Sequence, residues 1–321
     1  MKQIVFLDRA TIAPQIALPR PAFAHDWVEY ERTAANQTSE RLRNARIAIT
    51  NKVRMGAAEL AAAPYLELIA VAATGYDCVD LTACTARGVA VCNIRGYSVN
   101  TVPEHVMALL LGLRRGIVSY AEAVRQGEWQ RSGQFCFFKT PIHDLSGATL
   151  GIVGKGGIGQ RVAALGKAFG MEVIYAARPG TDATDGRVPF EEFCERVDVI
   201  SLHCPLTPET RGIIGDAAFA HMKRRPIVIN TARGGLIDLP ALERALSNGV
   251  ISGAGIDVAD REPPPPDDIL MTLANDPRVI VTPHIAWASD EAQTALSNQL
   301  ITVIEAFEAG QPINLLTPKD E

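Results

Sequence analysis

The chain has 321 residues, of which 47% are hydrophobic and 21% charged, a balance that excludes a wholly disordered protein and suits about two domains. A formal net charge of -5 without a basic stripe argues against a nucleic-acid partner. No apolar run reaches the roughly 18 residues of a membrane-spanning helix, and the N-terminus lacks a signal-peptide pattern, so we expect a cytoplasmic protein with no membrane partner.

The six cysteines form no C-x-x-C pair, and their spacing is typical neither of a zinc site nor of a disulfide framework. We therefore expect reduced, mostly buried thiols and no metal. Because the chain is acidic overall, an anionic substrate would have to be held by a few local cations or backbone N–H groups.

Short apolar segments alternate along the chain with longer amphipathic ones. The apolar segments predict strands at Ile4–Leu7, Arg46–Thr50, Leu68–Ala72, Val89–Cys92, Thr149–Val153, Glu172–Tyr175, Val197–Ser201, Ile227–Asn230, Gly253–Asp257 and Val279–Val281. The amphipathic segments predict helices such as Val79–Arg87, Gln160–Phe169 and Leu239–Asn248. Continuous apolar strands are typical of parallel sheets covered on both faces, so the pattern predicts an α/β, doubly wound fold.

The strands fall into two predicted domains, residues 1–99 and residues 100–287. A long apolar helix, Thr101 to about Arg125, opens the second domain, with Thr101 as a cap and Pro103 in the first turn. A final helix, about Ser289–Ala309, has no sheet of its own, so we expect residues 288–321 to return to the first domain. Two Rossmann-like or flavodoxin-like domains would then face each other across a cleft, a common place for ligands.

The strongest local motif is Gly154–Gly159, which reads G-x-G-x-x-G between a predicted strand and a predicted helix. Gly154 would permit the tight turn, Gly156 the approach of a pyrophosphate, and Gly159 close packing of helix on strand. The helix N-terminus would offer N–H groups and a positive dipole end to phosphates. The motif therefore predicts a dinucleotide site, the alternative being a structural glycine-rich turn.

The end of the next strand bears on the choice of cofactor. NAD binding favours a carboxylate there, but Val173–Pro179 contains none. Arg178 stands instead where it could meet a 2′-phosphate, which its guanidinium fork matches well. We therefore expect NADP(H) to be favoured over NAD(H); the alternative is that Arg178 is an ordinary solvated arginine.

Three later strand ends carry polar residues that would open on the same carboxyl edge of a parallel sheet. His284 could take and return the hydroxyl proton of a hydroxy acid, and Glu262 could orient its imidazole. Arg233 could hold a substrate carboxylate and polarise the carbonyl. Taken singly, the three have structural alternatives: a loop histidine, a solvated turn glutamate and a helix-capping arginine.

In these segments the chain resembles the D-2-hydroxyacid dehydrogenase family, and the likeness covers nearly the whole sequence. The motifs that carry it are Gly154–Gly159, Asn230–Gly234, Asp257–Pro263 and Thr282–Ala286, joined by Ala72–Asp77 and Pro103–His105. The resemblance implies that Arg233 binds substrate, that Glu262 pairs with the histidine, and that His284 is the acid/base.

The resemblance also implies binding residues. With Arg178 and His284, the expected cofactor contacts are Gly154, Gly156, Gly157, Ile158, Gly159, Cys204, Pro205, Thr231, Ala232, Arg233 and Asp257. The expected substrate contacts in the first domain are backbone N–H groups of Thr74 and Gly75. Asn51 and Lys52 follow a strand and are further substrate candidates, although Lys52 could simply be exposed.

Within the family, Ile49–Val53, Ser132–Phe138 and His284–Ser289 resemble the glycerate dehydrogenase / hydroxypyruvate reductase branch. This implies reduction of glyoxylate- or hydroxypyruvate-type 2-keto acids, with Ala177 departing from the acidic residue usual in the family. Two alternatives remain: a non-catalytic dinucleotide-sensing or scaffold protein of the same fold, and a dehydrogenase of another small anion such as formate or phosphite.

The family also implies a homodimer formed through the cofactor domain. The apolar stretch Val106–Leu111 in the long helix is compatible with such an interface. Burial of the same stretch inside one chain explains it equally well.

Overall fold

The computed structural model describes residues 1–318, and the chain divides into two compact units. The first comprises Met1–Ser98 and the chain from Ala288 onward, and the second comprises Val99–Trp287. Each unit contains one parallel sheet with helices, so the predicted α/β class is confirmed.

The strands are β1 (Lys2–Phe6), β2 (His25–Glu29), β3 (Ile47–Thr50), β4 (Leu68–Val71), β5 (Ala90–Cys92), β6 (Thr149–Val153), β7 (Glu172–Tyr175), β8 (Val199–Leu202), β9 (Ile227–Asn230), β10 (Gly253–Ile256) and β11 (Val279–Val281). The α-helices are α1 (Ala35–Leu42), α2 (Ala57–Ala61), α3 (Leu81–Ala86), α4 (Thr101–Arg114), α5 (Ile117–Arg125), α6 (Glu128–Ser132), α7 (Gly157–Ala168), α8 (Phe190–Arg196), α9 (Asp216–Ala220), α10 (Leu239–Ser247), α11 (Ile269–Leu273) and α12 (Asp290–Glu308).

The first unit has a five-stranded sheet in the order β2-β1-β3-β4-β5, with every pair parallel. Its central strands β3 and β4 are buried at every position, as the continuous apolar runs predict. α12 begins at the N-cap Ser289, whose hydroxyl accepts from the N–H of Ala292, and it packs against β4.

All ten predicted strands are present, with ends within two residues of the expected positions. β2 is an eleventh strand that the sequence pattern does not reveal. It pairs only with β1, at the edge of the sheet, and its residues are half-buried or exposed. The polar, mixed sequence of an edge strand lacks the continuous apolar run by which buried strands are recognised.

The prediction of one helix from Thr101 to about Arg125 is wrong. α4 ends at Arg114, and Gly116 adopts a left-handed conformation with φ of 62° before α5 begins. A left-handed residue cannot continue a right-handed helix, and glycine adopts that conformation without a steric penalty.

The second unit has a six-stranded parallel sheet in the order β11-β10-β9-β8-β6-β7. Apolar clusters cover it on both faces, one containing the buried side chains of α8 to α11 and the other those of α4 and α7. In the second cluster Val106, Leu109 and Leu110 are almost fully buried, so the apolar stretch of α4 packs within the unit.

Five strands of this sheet end in register. Val153 pairs with Leu202, Leu202 with Asn230, Asn230 with Ile256, and Ile256 with Val281. The next residue of each strand therefore leaves the sheet at one common edge: Gly154, His203, Thr231, Asp257 and Thr282.

Within residues 1–318, no helix combines the length and apolar character required to cross a bilayer. The same residues contain no cluster of three or more His, Cys, Asp or Glu side chains able to hold a metal ion. All six cysteines are free thiols.

Candidate active site

The glycine-rich turn follows β6 at this edge. Gly154 has φ of 107°, and a Cβ there would lie 2.6 Å from the backbone of His203. A Cβ on Gly159 would lie 2.1 Å from the carbonyl oxygen of Gly154, so this glycine allows α7 to pack on the turn. A Cβ on Gly156 would meet nothing within 4 Å, which leaves open space beside the N-terminus of α7. Gly157 begins α7, and Ile158 is half-buried in its first turn.

His203 supports this turn from the end of β8. Its N–H donates to the carbonyl of Val153 at 2.7 Å, and its ring Nε2 lies 2.8 Å from Ser201 Oγ. Burial lowers the pKa of the imidazole to about 4, so the ring is neutral at neutral pH. The next residues, Cys204 and Pro205, are half-buried and exposed, and burial raises the pKa of the Cys204 thiol to about 11.

Arg178 lies just beyond the end of β7 and is exposed, whereas Ala176 and Ala177 are buried. The hydroxyl of Thr207 and, more weakly, the charge of Arg178 lower the pKa of Glu209, and Arg178 also acts on the Cys204 thiol. Because Tyr175 pairs with Ile152 of β6, the segment that carries Arg178 leaves the sheet at the same edge as the glycine turn.

Thr231 and Ala232 begin the turn after β9. The Oγ of Thr231 is buried and has no hydrogen-bond partner among the described residues. A buried hydroxyl without a partner is rare in proteins unless a ligand or water completes it. This hydroxyl, the open space at Gly156 and the N-terminus of α7 fit a dinucleotide along the edge.

Asn230 shapes the turn that carries Arg233. Its side-chain amide donates to the carbonyl of Arg233 at 2.8 Å, and its oxygen accepts from the N–H of Ala232 at 3.0 Å. The half-buried Arg233 donates from Nη1 to the carbonyl of Ala232 at 2.9 Å. A Cβ on Gly234 would lie 2.2 Å from the backbone of Ala259, so glycine lets this turn press against the loop that follows β10.

That loop brings Glu262 to His284. Glu262 Oε2 lies 2.7 Å from His284 Nδ1, and its Oε1 accepts from the N–H of Ala259 at 3.1 Å. Both side chains are partly exposed, at 26% for His284 and 31% for Glu262. A carboxylate only accepts, so Nδ1 carries a proton and Nε2 is the nitrogen left to exchange one with a substrate.

Asp257 is almost completely buried and holds the segment around His284. Its carboxylate accepts from the N–H groups of Ile285 and Ala286 at 3.0 and 2.9 Å. Its own carbonyl accepts from the N–H of His284 at 2.7 Å. The structure therefore brings Arg233, Asp257, Glu262 and His284 to one edge of the second sheet.

The predicted substrate residues of the first unit lie at two strand ends. Asn51 is buried and Lys52 exposed after β3, and the buried carboxylate of Asp8 accepts from their N–H groups at 3.0 and 2.7 Å. Burial raises the pKa of Asp8, and these hydrogen bonds oppose that rise. Sequence reasoning missed Asp8, because a single aspartate after a strand resembles an ordinary turn residue.

Thr74 and Gly75 follow β4. The hydroxyl of Thr74 donates to the carbonyl of Ile94 at 2.8 Å, and Asn93 donates to the carbonyl of Thr74 at 2.7 Å. Within residues 1–318, no backbone hydrogen bond engages the N–H of Thr74 or of Gly75. The turn is thus fixed by the carbonyl and the hydroxyl of Thr74. The two N–H groups that are predicted to bind an anion take no part in backbone hydrogen bonds among the described residues.

Residues 107–286 match the NAD binding domain of the D-isomer specific 2-hydroxyacid dehydrogenases. The chain belongs to this family. It is 49% identical to a glycerate dehydrogenase of Methylorubrum extorquens over 98% of this chain and 99% of that protein. It is 35% identical to a hydroxypyruvate reductase of Blautia hydrogenotrophica, over 90% and 91% of the two chains.

Among solved structures, an NADPH-dependent glyoxylate/hydroxypyruvate reductase from Sinorhizobium meliloti is similar with a TM-score of 0.82. The two chains are 28% identical, and the similarity covers 99% of each. As a D-2-hydroxyacid dehydrogenase, the protein is an oxidoreductase of CH–OH groups that uses a nicotinamide dinucleotide. The expected resemblance to the glycerate dehydrogenase / hydroxypyruvate reductase branch is confirmed.

Two glycines of the turn give a matched test of the cofactor site. Gly156→Ala should leave the melting temperature within about 2 °C of wild type, because its Cβ enters open space, yet raise the Kd of the dinucleotide at least about tenfold. Gly159→Ala should lower the melting temperature by about 5 °C, because its Cβ meets backbone. Calorimetry and fluorescence titration measure the two effects, and tight binding by Gly156→Ala would contradict this assignment of the turn.

Proposed function

We propose that the protein is an NADPH-preferring reductase of small 2-keto acids of the glyoxylate and hydroxypyruvate type. The observation that carries the proposal is the 2.7 Å contact between Glu262 and His284 at the sheet edge that also bears Arg233 and the glycine turn. A protein that only sensed a dinucleotide would have no need of an imidazole held in this way.

His284 is the acid/base of the proposed reaction. Protonated on both nitrogens, it keeps Nδ1–H on Glu262 and delivers the Nε2 proton to the keto oxygen as the carbonyl carbon is reduced. In the oxidative direction the same nitrogen takes the hydroxyl proton. Glu262 fixes the tautomer and stabilises the imidazolium, and the N–H of Ala259 fixes Glu262.

Arg233 is the substrate-binding residue of the second unit. Its guanidinium is suited to hold the 2-keto-acid carboxylate and to polarise the carbonyl. The turn that carries it is rigid. The Asn230 side chain donates to the carbonyl of Arg233 and accepts from the N–H of Ala232. Gly234 packs directly against the backbone of Ala259. Four residues of the first unit are proposed as further substrate-binding residues: Asn51, Lys52, Thr74 and Gly75.

The bound nicotinamide supplies the hydride. Gly156, Gly157 and Ile158 would hold the pyrophosphate at the N-terminus of α7, and Thr231 would use its unpaired hydroxyl. Cys204, Pro205, Ala232 and Asp257 line the same edge. An exposed Arg178, with no acid in Ala176–Pro179, supports a preference for the 2′-phosphate of NADPH. The Sinorhizobium meliloti relative is NADPH-dependent, which agrees with this preference.

We further propose a homodimer formed through the second unit. The stretch Val106–Leu111 named above is largely buried within that unit, but the segment after it exposes apolar side chains. Phe135 and Phe138 are 91% and 87% exposed, and Ile117, Val118 and Trp129 are also open. Large apolar side chains exposed along one segment in this way are typical of an interface between protein chains, and we assign this segment to contact with a second copy.

Turnover with a panel of keto acids tests the reaction. We expect oxidation of NADPH at 340 nm with glyoxylate and hydroxypyruvate, and His284→Ala should lower kcat about 10²- to 10⁴-fold with an NADPH Kd near that of wild type. His143→Ala, at an exposed loop histidine, should retain wild-type turnover. No oxidation with any keto acid would remove the proposed function, and loss of NADPH affinity alone in His284→Ala would contradict the acid/base role.

Arg178→Ala tests the cofactor preference. Loss of a charge-assisted contact to phosphate should raise the Kd of NADPH about 10- to 100-fold and leave that of NADH nearly unchanged. Arg87→Ala, at an exposed arginine where α3 ends, should change neither value. Equal losses for the two cofactors would show that Arg178 does not read the 2′-phosphate.

Light scattering after gel filtration tests the dimer. The wild-type protein should elute with twice the mass of one chain, and the double variant Phe135→Ser/Phe138→Ser should elute as a monomer, because its interface loses two large apolar side chains. Tyr65→Ser, at an exposed aromatic residue of the first unit, should leave the mass unchanged. A dimeric double variant would place the interface elsewhere.

A further inference from the structure

A histidine on α4 reaches the segment that carries His284. His105 lies in the second turn of this helix, and its Nε2 is 3.0 Å from Thr282 Oγ and 3.6 Å from Asp257 Oδ1. Its side chain is only 19% exposed. None of the roles proposed above uses this residue, although it contacts the residue two positions before the acid/base.

The direction of the hydrogen bonds follows from the chemistry of the groups. Thr282 Oγ lies 2.5 Å from Asp257 Oδ1, and a carboxylate can only accept, so the hydroxyl proton is donated to Asp257. The same hydroxyl must then accept from His105, whose Nε2 therefore carries a proton. His105, Thr282 and Asp257 form a chain of hydrogen bonds that runs in one direction.

The Asp257 carboxylate accepts hydrogen bonds from residues on both sides of His284. Thr282 precedes His284 and donates to Oδ1, while the N–H groups of Ile285 and Ala286 follow it and donate to Oδ1 and Oδ2. The segment 282–286 is thus wrapped around one buried carboxylate.

His284 needs such support because its backbone is left-handed, with φ of 55°. This conformation is unfavourable for a residue with a Cβ and persists only where the surroundings impose it. A relaxed φ would turn the imidazole away from Glu262, whose Oε2 lies 2.7 Å from Nδ1.

α4, which carries His105, packs closely on the second sheet. A Cβ on Gly255 would lie 3.1 Å from Leu109 Cβ, and a Cβ on Gly112 would lie 3.0 Å from Ile280 Cδ1, so the helix packs directly on β10 and β11. Close packing of this kind fixes the position of side chains on the helix relative to the sheet.

We propose that His105 is a positioning residue for the acid/base, acting through Thr282 and Asp257. Its N–H fixes the Thr282 hydroxyl, this hydroxyl and two backbone N–H groups fix the Asp257 carboxylate against the segment, and the segment holds the His284 ring on Glu262. The kinetic part of this inference rests on the proposed function, whereas the structural part does not.

The kinetic experiment compares two substitutions of His105. His105→Leu removes the donor, and His105→Gln keeps an N–H near the position of Nε2. We expect His105→Leu to lower kcat about 10- to 100-fold for glyoxylate with NADPH, as supporting residues of a site do, with KM and the NADPH Kd within about twofold. His105→Gln should recover most of the loss, and His143→Leu should resemble wild type. Unchanged kcat in His105→Leu, or equal losses in kcat and NADPH affinity that glutamine does not rescue, would overturn the proposal.

Thr282→Val provides a second variant that keeps the side-chain shape and removes the relaying hydroxyl. Thr282→Val should lower kcat about as much as His105→Leu does, whereas Thr282→Ser should retain activity. The double variant His105→Leu/Thr282→Val should lose no more kcat than the more impaired single variant, because both substitutions break the same series of hydrogen bonds. Additive losses would show that the two residues act independently.

Crystal structures of the wild-type protein and His105→Leu decide the structural part without any turnover. The variant should show residue 284 away from φ of 55° or the Nδ1–Oε2 distance lengthened beyond hydrogen-bonding range. An unchanged segment 282–286 would overturn the proposal. A wild-type protein that reduces no keto acid would instead refute the proposed function, and the two structures would still decide the role of His105.

Discussion

The common register of the strands in the second sheet is the constraint on which the candidate site depends. Because Val153, Leu202, Asn230, Ile256 and Val281 lie side by side, the chain leaves five strands at the same level. A shift of one strand by a single residue would reverse the faces of its side chains and move its terminal group away from the others. Residues far apart in sequence therefore lie close together because their strands are paired in parallel. The loops determine only the final position of each side chain.

The conformations of these loops are fixed by buried polar side chains that form hydrogen bonds with the backbone. Asn230 shapes the turn of Arg233, Asp257 shapes the segment of His284, and Asp8 shapes the segment of Asn51 in the first unit. Each satisfies N–H or C=O groups that would otherwise be left unpaired where a strand ends. Chemically active side chains can then stay partly exposed while the backbone beneath them remains rigid.

Sequence patterns predicted ten strands and the glycine turn, because apolar runs and glycine spacing are local properties. The pairing of Glu262 with His284 was implied by the family resemblance, and the two side chains do lie in contact. Sequence patterns failed for the edge strand β2, whose polar sequence resembles a loop, and at Gly116, whose backbone conformation ends α4. The sequence assigned no role to Asp8, and none to His105 beyond its place in the Pro103–His105 motif, because the roles argued for them depend on tertiary contacts with residues 43 and 177 positions away along the chain.

The loop after β7 lies outside the packed part of the second unit. Its ends are joined by hydrogen bonds from the N–H of Ala177 to the carbonyl of Val188 and from the N–H of Val188 to the carbonyl of Tyr175, and the intervening residues 178–186 are exposed. Substitutions at Arg178 and its neighbours can therefore accumulate at little cost to the free energy of unfolding. Under the role proposed for Arg178, a change in the preferred dinucleotide would arise within this loop and leave the strand register of the sheet edge intact.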